Sequence, residues 1–327
     1  MRKIAAKMGR VTGRKPLLAG YGPDFPHYLK CMARTLRFFT CDSTTREAPS
    51  PPSNQKPPRQ HCTEQCHTLK MTAPPNRRLI GLSTKMYFPL QRTLDFIITV
   101  QTQLAALSSS LEDVDIFIIP DFISIHPVSE ALKSTSVPIR LGAQDCHWDD
   151  FGAFTGEVSP VVLRETGVSI VEVGHAERRR IFGETDEVVA KKAAAASRNG
   201  MAPLICIGEK TKGDLSIALG ECQVQIDQSL ADVPESAEVI IAYEPVWAIG
   251  ASEPASEGHV IGVVKGIRAF ESVKRRTGTT RVIYGGSAGP GLFEKLGEAV
   301  DGLFLGRFGH DVPRFLTTVS EVASFKA

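Results

Sequence analysis

No stretch of this 327-residue chain holds an unbroken apolar run near the roughly 20 residues that cross a bilayer. A membrane-spanning helix is therefore not expected. Aromatic residues are few, 7% with two tryptophans, and they are not interleaved with the basic residues. That argues against a nucleic-acid module, which needs stacking platforms beside its cations. The seven cysteines lack paired spacing: Cys31, Cys41, Cys62 and Cys66 fall in the first 70 residues, and Cys146, Cys206 and Cys222 are dispersed. An odd, scattered set is no disulfide framework and fits a reducing, cytoplasmic setting. "HCTEQCH" (His61, Cys62, Cys66, His67) has metal-ligand residue types but no second pair at finger spacing, so it reads as chance and no metal site is expected. No G-x-G-x-x-G follows an apolar run, which argues against a dinucleotide-binding fold.

The net charge of +2 conceals a division: residues 1–70 carry 13 Lys and Arg against 4 Asp and Glu, so the rest of the chain is acidic. Residues 1–76 show no sustained period. "REAPSPPSNQKPPRQ" has too little apolar surface to offset its ordering entropy, and the segment is expected to be a disordered basic extension. A tail without a special partner is the plain reading. A mitochondrial transit signal and an electrostatic arm are the alternatives. Met71 opens "MTAPPNRRLIGL", and the 257 residues from it have the size of one α/β barrel, which makes Met71 a candidate true start.

From residue 77 to 327 the pattern changes. Eight short apolar runs alternate with segments of helical period: "RLIGLS" (78–83), "DIFIIP" (115–120), "PIRLGAQ" (138–144), "VSIVEVG" (168–174), "APLICIG" (202–208), "EVIIAYE" (238–244), "RVIYGG" (281–286) and "VDGLFLG" (300–306). In the first helix Leu94, Ile97, Ile98, Leu104 and Leu107 recur at helical spacing, which predicts one buried face. Continuous apolar strands separated by helices imply a parallel sheet covered on both faces. Eight units in about 250 residues favour an α/β protein of the closed (β/α)8 barrel type.

Such barrels carry their site at the C-terminal strand ends. The polar residues there are Lys85, Gln144, His175, Glu244, Ser287 and Arg307. Glu244 ends an apolar run before Pro245 and a segment rich in Ala, Gly and Ser, as a general base under a closing loop would. His175 precedes a predicted helix, whose dipole disfavours the imidazolium. "YGGSAGPG" and "FLGRFG" offer amides for a phosphate. A base, a neutral imidazole, a cation and a phosphate cradle suit proton transfer next to a carbonyl through an enediolate, with no metal or organic cofactor. Taken singly, each has a plainer reading: a structural histidine, a surface lysine, a tight turn. Their order on successive strand ends favours the chemical one.

Five motifs then carry a resemblance: "GAQDCHWDDFGAFTGEVSP" (142–160), "VEVGHAERRRIFGE" (171–184), "PLICIGE" (203–209), "AYEPVWAIG" (242–250) and "YGGS" (284–287). Over residues 77–325 the chain resembles the triosephosphate isomerase family. The resemblance implies a barrel interconverting dihydroxyacetone phosphate and glyceraldehyde 3-phosphate. It assigns Glu244 as the proton-shuttling base, His175 as the neutral electrophile, Lys85 as the active-site lysine and Glu177 as its buried partner. It also implies that Gly250, Ser287 and Gly306 donate backbone N–H groups to the substrate phosphate, that the segment 145–157 docks into a second subunit of a homodimer, and that the only small partner is a phosphorylated sugar.

Three departures concern substrate contacts. The family's first-strand Asn-Trp-Lys-Met-Asn reads Ser83-Thr84-Lys85-Met86-Tyr87, so a hydroxyl replaces an amide. The closing loop's Gly-Thr-Gly-Lys reads Gly250-Ala251-Ser252-Glu253. The last phosphate turn, Gly-Gly, reads Gly306-Arg307, which adds a guanidinium near the anion. These resemble a divergent branch that includes isomerases of four-carbon ketose phosphates such as erythrulose 1-phosphate. A glycolytic triose isomerase and a tetrulose isomerase of sugar-alcohol catabolism both stand as readings. A non-catalytic sugar-phosphate- or partner-binding barrel is a third, against which the intact Glu244, His175 and Lys85 argue.

Overall fold

The computed structural model describes residues 77–134 and 137–325. The expectations for the N-terminal segment (disorder, targeting, the Cys/His cluster, a start at Met71) lie outside the described residues. The strands are β1 (Arg78–Ser83), β2 (Val114–Ile119), β3 (Ile139–Ala143), β4 (Ile170–Val173), β5 (Ala202–Ile207), β6 (Val239–Tyr243), β7 (Thr280–Tyr284) and β8 (Gly302–Leu305). Each pairs in parallel with the next, and β8 pairs with β1 to close an eight-stranded barrel. The helices around it are α1 (Leu90–Ala105), α2 (Phe122–Leu132), α3 (Pro160–Glu165), α4 (Ala176–Phe182), α5 (Asp186–Arg198), α6 (Leu215–Ser229), α7 (Glu257–Ala269), α8 (Glu271–Lys274), α9 (Phe293–Leu296) and α10 (Val312–Ser324). Among the described residues no helix is long and apolar enough to cross a membrane.

Local chemistry explains several helix starts. Asp121, Ser159, Thr185 and Asp311 each accept a backbone N–H in the first turn of the helix that follows, filling donors that have no intrahelical partner. The face of α1 differs from expectation. Thr93, Phe96, Ile97, Val100 and Leu104 are buried, whereas Ile98 is 52% exposed and Leu107 lies past the helix end. Ile98 sits about 100° around the helix from Ile97, off the stripe that 93, 96, 97, 100 and 104 form.

The strands read as continuous apolar runs because both of their faces are buried. Residues of one parity (Leu79, Phe117, Ile119, Ile170, Leu204, Ile240, Ala242, Ile283, Phe304) fill the barrel interior, and the other parity packs under the helices. At the N-terminal end the interior holds charge: Arg281 bonds Asp115 at 2.6 Å and also pairs with Glu238, which Arg140 holds at 2.7 Å. Arg281, the buried member, keeps its charge because it has opposite partners. The C-terminal end has no such ionic plug and opens into a cavity of about 720 Å³.

Candidate active site

Glu244 stands one residue beyond β6, on the same parity as Ile240 and Ala242, so its side chain enters the open end of the barrel. Its N–H still donates to Ile207 O at 2.8 Å, which fixes the backbone before Pro245 ends the ladder. The residue is 7% exposed, and its buried Oε2 has no hydrogen-bond partner within the protein. An unpaired buried carboxylate oxygen is costly and needs an explanation; a proton acceptor kept free for a ligand is one. Gly285 makes the placement possible. A Cβ there would lie 2.3 Å from Glu244 Oε1. The first glycine after β7 thus accommodates the base, a role that sequence reading assigned only to a phosphate cradle.

His175 caps α4. Its Nδ1 accepts the Glu177 N–H at 3.1 Å. That nitrogen is therefore the unprotonated one, and Nε2 carries the hydrogen. Burial lowers the His175 pKa, with Glu244 pulling it up and Lys85 pushing it down, and the net shift is downward. The ring is a neutral donor whose Nε2 lies 3.6 Å from Glu244 Oε2 and 3.5 Å from Lys85 Nζ. Nε2–H and the ammonium are both donors, so they do not bond each other and both face the cavity.

Lys85 Nζ donates to Glu177 Oε1 at 2.8 Å. Burial works against its charge, but this bond and the carboxylates of Glu244 and Glu177 prevail and hold its pKa above the ordinary lysine value. Glu177 is in turn held below the usual carboxylate range: burial opposes ionisation, and the hydrogen bond and charge of Lys85 outweigh it. The expectation of a buried partner needs correction, since the Glu177 side chain is 41% exposed. It sits in the first turn of α4 and reaches the lysine from the rim.

Lys85 and Ser287 have φ of 47° and 55°, the two non-glycine residues at positive φ among the described residues. Such backbone costs roughly 1–2 kcal/mol and is kept where surroundings enforce it. Gln144 Nε2 holds the Lys85 carbonyl at 2.9 Å. Ser287 Oγ donates toward Ala248 O at 2.8 Å and Ala251 O at 3.0 Å, tying its turn to the loop after Glu244. Arg307 Nη2 bonds Gly250 O at 3.0 Å. The guanidinium expected to meet the anion is therefore engaged with the loop. Gly250, at φ 72°, carries no side chain to crowd it. Farther along, Ala255 N–H donates to Tyr284 Oη at 3.0 Å. The loop is strapped over the site from the strand ends.

Of the residues singled out from the sequence, Ser83, Lys85, His175, Glu177, Glu244, Gly250, Ser287, Gly306 and Arg307 line this one cavity, whereas Gln144 is outside its lining and holds the Lys85 carbonyl instead. Arg314, from the first turn of α10, lines it too and was not foreseen, because in sequence it is one of many arginines. Glu172, on β4 one layer below, was also missed. Period-two alternation from Ile170 places it inside the barrel and was the available signal. Among the described residues no group of three or more His, Cys, Asp or Glu side chains could hold a metal ion.

Comparison with known proteins agrees with this arrangement. The family model described as triosephosphate isomerase matches residues 78–322. An L-erythrulose-1-phosphate isomerase of Pectobacterium atrosepticum is 45% identical over 250 residues, covering 74% of this chain and 94% of that protein. Proteins of the same name from Brucella abortus and Rhizobium meliloti are 39% and 40% identical, each over 75% of this chain and 96% of their own length. With a closed eight-fold barrel, the candidate residues gathered at its C-terminal mouth and a match spanning the whole described body, the chain belongs to the triosephosphate isomerase family and is an isomerase.

Proposed function

We propose that this isomerase acts on a four-carbon ketose phosphate of the erythrulose 1-phosphate type. The observation that carries the proposal is Ser83 at the cavity wall in an otherwise complete site, joined to relatives named for that substrate. In a ketose 1-phosphate of four carbons, C1 bears the phosphate and C2 the carbonyl, so C3 is the hydroxyl-bearing carbon beside the carbonyl. Glu244 takes the C3 proton, and the enediolate spans C2 and C3. Nε2–H of His175 and the ammonium of Lys85 face its oxygens, and the proton returns to C2. The carbonyl ends on C3, giving a second ketose phosphate, erythrulose 4-phosphate. Relative to a triose, the extra hydroxymethyl group projects from the reacting carbon. A short serine leaves room there that an asparagine would occupy.

The second reading is interconversion of dihydroxyacetone phosphate and glyceraldehyde 3-phosphate, for which the same base and imidazole would serve. Assay of the full-length protein on both ketose phosphates decides between them. The expected result is a kcat/KM for erythrulose 1-phosphate well above that for dihydroxyacetone phosphate. Ser83→Asn is expected to move the ratio toward the triose by on the order of tenfold or more, the scale of refusing one small group. A higher kcat/KM for the triose in the parent protein would overturn the reading.

A homodimer and a reducing, cytoplasmic setting belong to the same proposal. Exposed Met86 (95%) and Phe151 (73%) support the first, with sedimentation of the full chain as its check. The free, buried Cys146, Cys206 and Cys222 support the second.

A further inference from the structure

The loop after β6 and the turn after β8 are joined by one bond between distant parts of the chain. Arg307 Nη2 donates to Gly250 O at 3.0 Å, across 57 residues. The Arg307 end is anchored to the barrel. Gly309 N–H returns to Gly306 O at 2.9 Å, and His310 Nε2 donates to Ser83 O at 2.9 Å. The loop end is held a second time by Ser287, whose Oγ meets Ala248 O and Ala251 O. Within the loop the N–H groups of Ile249 and Ala251 donate to Val246 O and Ala248 O, both at 3.3 Å. Between them, the N–H of Gly250 has no partner among the described residues. Gly250 and Arg307 both line the cavity, as do Ser287, Gly306 and Arg314. These five bring two guanidiniums, a hydroxyl and no carboxylate, a composition that suits a phosphate dianion.

A backbone amide holds an anion well when its direction is set before the anion arrives. Glycine is the residue least able to set it, because both signs of φ are open to it. Gly250 sits at φ 72°, and without ties from outside its N–H would sample many directions. We propose that Arg307 is a positioning residue: its guanidinium ties the loop after β6 to the turn after β8 and holds the Gly250 N–H ready for the substrate phosphate. A glycine at position 307 has no side chain with which to make this tie. A side chain at position 250 would crowd it, since a Cβ there lies 3.4 Å from Arg307 Nη2. A loop that its ligand must first order lowers apparent affinity by the fraction already in the competent state. Arg307 keeps that fraction high.

This rests on the substrate reading above, so the test has arms that need no turnover. The Ala255 N–H, buried and bonded to Tyr284 Oη at 3.0 Å, reports whether the loop is seated. In ligand-free, full-length protein, Arg307→Ala is expected to speed hydrogen exchange at Ala255 by about fivefold, the scale of one lost hydrogen bond. Arg314→Ala removes a cation from the same lining but not the tie, and is expected to leave that rate unchanged. An unchanged rate in Arg307→Ala, or an equal acceleration by Arg314→Ala, overturns the proposal. In the binding arm, Arg307→Ala is expected to raise the Kd of inorganic phosphate, read by calorimetry, on the order of tenfold. In the kinetic arm it is expected to raise KM for erythrulose 1-phosphate by a similar factor, with kcat within about threefold. Gly250→Ala breaks the tie from the other side with no change of charge. Its effect on phosphate Kd and that of Arg307→Ala are expected to combine to less than their product. Full additivity would make Arg307 a direct contact of the anion and refute the positioning role, as would a loss confined to kcat. Absence of turnover of any ketose phosphate would overturn the proposed substrate, and Ala255 exchange with phosphate Kd would still decide the role of Arg307.

Discussion

Glu244→Asp is expected to fold like the parent and to lose turnover by roughly 10²-fold or more, with KM changed only modestly. The charge survives, but the carboxylate withdraws by one methylene from the position its backbone dictates. That backbone cannot follow the substrate: Glu244 N–H is bound to Ile207 O at 2.8 Å, and Pro245 comes next. A proton acceptor works only within hydrogen-bond reach of the carbon acid, and a misplacement near 1 Å carries a penalty of about this size. Steady-state kinetics on the preferred ketose phosphate, with a melting curve alongside, is the measurement. Turnover equal to the parent would remove Glu244 from the proton transfer.

Gly285→Ala should injure the same base by a different route. The new methyl carbon would lie 2.3 Å from Glu244 Oε1 and 2.7 Å from its Cγ. The obstacle is the far end of a side chain, so the carboxylate swings aside rather than the barrel opening. The expected result is a folded protein, its melting temperature within a few degrees of the parent, whose kcat has fallen by on the order of 10²-fold. The pair of substitutions sharpens the test. Aspartate vacates the space that the alanine methyl needs, so the double variant should lose less than the product of the two single losses. Full additivity, or a Gly285→Ala protein that does not fold, would mean that Gly285 serves the strand and not the base.

Much of the site was legible because a parallel barrel converts linear order into place. Lys85, His175, Glu244 and Ser287 follow the first, fourth, sixth and seventh apolar runs, and in a parallel sheet all such residues emerge at one end. What the linear pattern could not supply was depth and direction. Glu177 was expected to be buried but reaches Lys85 from a half-exposed rim. Arg307 lines the cavity as expected, but its bond to the Gly250 carbonyl was not readable from spacing. Ile98 was expected on the buried face of α1 from its helical spacing, but it lies off that stripe and is exposed. Each depends on rotation about a helix or on the reach of a long side chain, which one-dimensional spacing encodes only loosely.

By itself the sequence determined the closed barrel and the family, and it marked Glu244, His175 and Lys85 as the candidates for base, imidazole and cation. These follow from apolar periodicity and from long motifs that survive without knowledge of distance. Only the tertiary structure decided which nitrogen of His175 carries the hydrogen, why Gly285 must lack a side chain, and that Glu172 of β4 meets Cys206 of β5 inside the barrel. Those outcomes come from strand curvature and closure, which bring β1, β4, β5 and β6 to a common interior. Contacts made across a barrel have no counterpart in the spacing of residues along the chain.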